Sequence, residues 1–174
     1  KVNPAIPQSA KEVKKSGMAY DSFMYEYTDG TTESVSLFEQ VKNYADRVEK
    51  LAVLGDYDII HAHDWLTFRA ALRAKEVTGK PLVVHVHATE FDRAGGKTGN
   101  PMVHEIEYLG LLLADRIFAV SQLTKDIIVK EYGIPSDKIE VVHNSIDINL
   151  YENIDEDNAY KFLTKMKNNG YRVV

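Results

Sequence analysis

The feature that most constrains this chain is an alternation. Four short apolar runs, Tyr57–His61, Leu82–His87, Asp115–Val120 and Lys138–Val142, are separated from one another by segments of helical periodicity. Parallel strands need a crossover of a dozen or more residues, usually a helix, and such crossovers are right-handed. The pattern therefore predicts an α/β fold with a Rossmann-like parallel sheet flanked by helices.

Punctuation between the runs supports the reading. Ser36 and Glu39 form a capping box that opens a helix through Leu37, Val41, Tyr44, Val48, Leu51 and Ala52, ended by Gly55. Trp65–Val77 reads as a helix closing at Thr78-Gly79, and Pro81 precedes the next strand. Pro101 starts a helix to about Ala114, and Gln122–Tyr132 is helical until Gly133 and Pro135. Asp155–Asn169 forms a last amphipathic helix, closed by Gly170, and Tyr171–Val174 reads as an opening strand. Residues 1–35 are less regular, with a hairpin expected from Phe23–Tyr27 through a turn at Thr28-Asp29-Gly30 to Thr31–Val35. Three stretches result: 1–35, a Rossmann-like portion at 36–150, and 151–174. The start at Lys1 and the strand begun at Tyr171 lead us to expect a piece of a longer protein.

Composition removes several function classes. A net charge of −5 over 174 residues disfavours general nucleic-acid binding, which needs a basic face. Without cysteine there are neither disulfides nor thiolate metal sites. The apolar stretch around Leu109–Leu113 is far too short to span a bilayer, and no signal peptide opens the chain, so a cytoplasmic protein is expected.

Two of the runs end in histidines and acids: His61-Ala62-His63-Asp64 and His85-Val86-His87, with Thr89 and Glu90 just beyond. Ligands of parallel α/β sheets bind at the carboxyl ends of the strands, so four of the six histidines converge on one candidate site. Residues two apart share a strand face, so His61 with His63, and His85 with His87, are spaced to coordinate zinc, with Asp64 or Glu90 adding oxygen. The plainer alternative has them filling the sheet–helix corner. The loop Arg93-Ala94-Gly95-Gly96-Lys97-Thr98 is not a phosphate-binding P-loop, because Phe91 stands where that motif needs glycine. It reads as a mobile, positively charged lid carrying Arg93 and Lys97, or as an ordinary exposed loop. Ser121 ends a strand where it either contacts ligand or caps the next helix. It lacks the Gly-x-Ser-x-Gly frame of a serine hydrolase.

Taken in order, Asp58-Ile59-Ile60-His61-Ala62-His63-Asp64-Trp65, Pro81–His87, Ala114-Asp115-Arg116-Ile117-Phe118-Ala119-Val120-Ser121 and Val141-Val142-His143-Asn144-Ser145-Ile146-Asp147 resemble the retaining glycosyltransferases of family 4 and their glycogen and starch synthase relatives. The resemblance covers about residues 36–174. It implies the amino-terminal, acceptor-side domain of a two-domain GT-B enzyme, with the crossing into a missing nucleotide-sugar domain near the end of this chain. It also implies that the parent enzyme moves a hexosyl group from a nucleotide-diphosphate sugar to a glycan or other acceptor, without metal or cofactor. His87 matches the histidine that lies against the donor sugar, and Asp64 the acid facing the cleft; these two are the catalytic candidates. His85, Thr89, Glu90, Arg93, Lys97, Ser121 and Asn144 are the substrate-binding candidates. The family's usual threonine before the histidine is absent, since Val86 and His85 stand there, and Ser145 replaces the glycine of the Asn-Gly-x-Asp turn. The isolated chain supplies few cations for a phosphoryl leaving group and is expected to be inactive. A metal-dependent hydrolase built on the strand-end histidines, and a non-catalytic carbohydrate-binding module, are the alternatives.

Overall fold

The computed structural model describes residues 10–13, 23–27, 32–147, 161, 164–170 and 172. The chain divides into two compact units, Lys1–His143 and Asn144–Val174. In the first unit, β1 (Ala10–Val13), β2 (Phe23–Tyr27) and β3 (Thr32–Val35) form an antiparallel meander. The expected β2–β3 pair is present, with Phe23 opposite Val35 and Glu26 opposite Thr32. The added strand β1 sets Ala10 against Tyr27. The expected turn at residues 28–30 lies outside the described residues.

Helix α1 (Leu37–Ala52) begins where Ser36 Oγ accepts the Glu39 N–H at 3.2 Å. The Tyr57 hydroxyl donates to the Ala52 carbonyl at 2.8 Å, satisfying one of the orphan acceptors at the helix end. Strand pairing begins only at Ile60, opposite Leu82, so β4 is Ile60–His63 rather than Tyr57–His61.

The rest follows the predicted alternation: α2 (Trp65–Thr78), β5 (Leu82–Val86), a short α3 (Glu90–Arg93), α4 (Pro101–Leu113), β6 (Arg116–Ala119), α5 (Gln122–Tyr132) and β7 (Ile139–Val141). Gly79 and Gly133 close α2 and α5 in the left-handed conformation that favours glycine. The four later strands form a parallel sheet in the order β4-β5-β6-β7.

Because each strand is followed by its spatial neighbour, right-handed crossovers place their helices on one side. That side is the core. Ala62, Leu82, Val84, Val86, Ile117, Ala119 and Ile139 point into it and meet Trp65, Phe68, Val103, Ile106, Leu111 and Ile128 from the helices. Helices α2 and α4 cross closely at Gly110, where a Cβ would sit 2.3 Å from the Phe68 ring. Of the expected last helix, residues 161 and 164–168 are helical and the remainder lies outside the described residues. Among the described residues no helix is long and apolar enough to cross a membrane.

Candidate functional site

The strand alternation that buries Ala62, Val84 and Val86 turns His61, His63, His85 and His87 to the opposite face. Register brings them together, since His63 pairs with His85 across β4 and β5. The His61 and His63 rings lie 4.5 Å apart, those of His85 and His87 4.6 Å, and those of His63 and His85 5.1 Å. Phe118 of β6 packs edge-on against His61 and His85, each 5.9 Å away. His61 and His85 are held below the ordinary histidine value, by burial first, then by His63 for His61 and by His87, His63 and His61 for His85. Nε2 of His85 is buried without a hydrogen-bond partner. One ring nitrogen from each of His61, His63 and His85 lies within 4.8 Å of the others, and among the described residues these three form the group that could hold a metal ion.

At the carboxyl end of this face, Asp64 laces two strands. Its N–H donates to the His85 carbonyl at 3.0 Å, and its Oδ1 accepts the His87 N–H at 2.8 Å. Asp64 stands at the N-cap of α2 but makes no side-chain cap there; Thr67 instead donates its hydroxyl to the His63 and Asp64 carbonyls. With φ 55° and ψ 169°, Asp64 is the only non-glycine residue at positive φ among the described residues. This region is essentially reserved for glycine and costs about 1–3 kcal/mol, so the surrounding bonds must hold it. The exposed His87 ring places Nε2 3.1 Å from His63 Nδ1, within hydrogen-bond distance, the tautomer deciding which nitrogen donates.

Behind His87 the backbone is pinned from below. Thr89 caps α3 in a reciprocal box with Asp92. The Glu90 N–H donates to Glu107 Oε2 at 2.9 Å. Arg93 donates to Glu90 at 3.1 Å, to the Ala88 carbonyl at 3.0 Å and to Glu107. Tyr132 of α5 donates its hydroxyl to Glu107, and His104 stacks on its ring at 4.5 Å. Burial pushes Glu107 upward, against the opposing pull of Tyr132, the Glu90 N–H and Arg93. Tyr132 is raised too, by burial and then by Glu107.

This network revises the reading of the loop. Arg93 does not ride on a mobile lid, because residues 90–93 fold into a helical turn and the guanidinium is engaged by two carboxylates and a carbonyl. Thr89 and Glu90 are 1% and 3% exposed, and their side chains bond to Asp92 and Arg93 within the loop. Lys97 stays exposed on the glycine-rich turn. Ser121 caps α5, accepting the Thr124 N–H at 3.1 Å. Asn144 opens the second unit and is exposed. Glu107 and Tyr132 escaped the sequence reading. The available signal was an acid set among Val103, Ile106, Gly110 and Leu111 on the apolar stripe of α4.

The sequence matches the profile of Glycosyltransferase Family 4 over residues 32–150. The chain belongs to glycosyltransferase family 4. Among curated members of this group it is 34% identical over 111 residues to an uncharacterized glycosyltransferase of Methanocaldococcus jannaschii, covering 59% of this chain and 28% of that protein. It is 30% identical over 110 residues to a D-inositol 3-phosphate glycosyltransferase of Catenulispora acidiphila (60% and 26%). With a glycogen synthase of Mycobacterium tuberculosis it shares 31% over 93 residues (52% and 22%). This family 4 chain thus spans about a quarter of the length of these curated relatives. Anabaena HepE, solved in complex with UDP-glucose, superposes with a TM-score of 0.56 at 20% identity, over 72% of this chain and 32% of its own, and confirms the fold.

Proposed function

We propose that this chain supplies the acceptor-side half of a retaining glycosyltransferase, which moves a hexosyl group from a nucleotide-diphosphate sugar to a glycan or other acceptor in the manner of α-glucan synthases. Family membership supports the reaction class, and the relatives named glycogen synthase and the neighbour solved with UDP-glucose support the substrate class. The observation that carries the reading is the Asp64–His87 bond across two strand ends, maintained through a backbone conformation ordinarily left to glycine. In this scheme His87 lies against the transferred sugar, Asp64 positions it, and exposed Lys97 contacts ligand. His85 and Ser121 remain assigned as substrate contacts on their places at strand ends, and Asn144 on the family resemblance. The transfer uses no cofactor, and exclusion of water from the closed cleft favours transfer over hydrolysis.

A metal-dependent hydrolase on the strand-end histidines is the second reading, favoured by the cluster of His61, His63 and His85; the family match favours transfer over it.

The test is a chain carrying these residues at the family's full length, assayed with a panel of nucleotide-diphosphate hexoses and with NMR assignment of the product anomer. Retained configuration and a His87→Ala variant slowed ~100-fold or more, at unchanged circular dichroism, are expected. Absence of transfer from every donor sinks the proposal. Transfer by the 174-residue chain alone overturns the view that its cations are too few.

A further inference from the structure

We propose that the open histidine face holds one divalent transition-metal ion, ligated by His61, His63 and His85. The three side chains come from two adjacent strands whose register fixes their spacing, and their ligand nitrogens already lie within 4.8 Å of one another. A tetrahedral ion with Zn–N bonds of 2.0–2.1 Å needs its nitrogens ~3.4 Å apart, so the ring edges close by up to ~1.4 Å from the 4.8 Å limit. His61 and His63 are exposed and have room to rotate; His85 is half-buried between them and Phe118. An independent observation points the same way: the buried Nε2 of His85 has no hydrogen-bond partner, and buried polar atoms are rarely left so. An ion answers that nitrogen, and the two exposed rings give it access from solvent.

The donor set specifies the ion. Three neutral imidazoles without a carboxylate suit zinc, copper, nickel or cobalt, and do not suit magnesium or calcium, which want oxygen ligands. The fourth position faces solvent and takes water. His87 is the outer partner through the His63 Nδ1 contact. An ion on His63 Nδ1 breaks that contact, whereas an ion on Nε2 keeps it and fixes the Nδ1 proton toward His87. In both cases the His87 ring responds to loading. This inference does not depend on sugar transfer, and its test uses no sugar nucleotide.

The experiment titrates Zn2+ alone into the 174-residue chain by calorimetry, with elemental analysis after gel filtration and histidine-ring NMR. One ion per chain and a shifted His87 resonance are expected. His61→Ala, at an exposed position, should lower affinity by more than the ~100-fold that loss of an outer-shell partner can cause. His85→Ala should do the same, while a His104→Ala/His143→Ala double variant binds as the parent does. Circular dichroism establishes that each variant is folded. Binding well below one equivalent overturns the assignment, as does affinity unchanged in folded His61→Ala.

Discussion

The two faces of the parallel sheet are made of alternate residues on the same strands, yet they do different things. On one face Ala62, Leu82, Val84, Val86, Ile117, Ala119 and Ile139 disappear beneath α2, α4 and α5. On the other, His61, His63, His85, Arg116, Phe118 and Glu140 carry rings and charges on the same backbone. The difference teaches that a strand with period-two alternation can separate folding from chemistry at single-residue resolution. Stability is then concentrated on the helix side, leaving the histidine side open to change.

Breaking the comparison is easiest where the expected effects are largest. Ile117→Ala on the helix side should lose about 4 kcal/mol in urea unfolding, from transfer and cavity terms together. Equal losses from substitutions on both faces would refute the division. Glu107→Gln should cost about 3 kcal/mol, because it removes one of the two buried oxygens that accept from Arg93, the Glu90 N–H and Tyr132. At Asp64 the usual order should invert. Asp64→Gly and Asp64→Ala both lose the bond to His87, but alanine keeps the strain, so the glycine variant should be the more stable by about 1–2 kcal/mol. A smaller effect is the pH profile. Burial holds Glu107 above its ordinary 4.5, so the native state keeps a proton that the unfolded chain has released. Its contribution to stability therefore falls as pH rises from 4.5 through the elevated native value. The Glu107→Gln profile should lack that decline; parallel profiles would show that Glu107 does not titrate as described. Smallest of all, His61→Ala should stay within ~0.5 kcal/mol of the parent in metal-free buffer.

Much of the architecture was legible because punctuation agreed with periodicity. Gly79, Pro81, Pro101 and Gly133 mark helix and strand limits in the chain, and the elements respect them. The β4 boundary was not legible, since where pairing starts depends on the neighbouring strand, and the apolar run continues unbroken through it. Convergence of the four histidines could be read from two adjacent strand ends. That each pair shares a strand face followed from the two-residue spacing; that Asp64 accepts the His87 N–H of the next strand end did not. An aspartate before a helix reads as a cap, and here it caps nothing. The α3 turn carried a signal in Thr89 and Asp92, three apart, masked by the glycines that follow. The Glu107–Arg93 pairing depends on how α3 meets α4, which no local pattern encodes.

Gly99 carries a consequence for engineering. It sits at φ 61°, and a Cβ there would come within 2.6 Å of the Glu90 side chain, whereas Gly95 and Gly96 have nothing within 4 Å. The Asn100 N–H next to it is bonded to that carboxylate at 2.8 Å. Lys97 and Thr98 are therefore the positions open to variation; Gly95 and Gly96 have room around them but are held to glycine by φ of 65° and 81°, and Gly99 is the fixed seam. A library meant to vary this loop should stop at Thr98, since a join one residue later would collide with the acid that anchors Arg93.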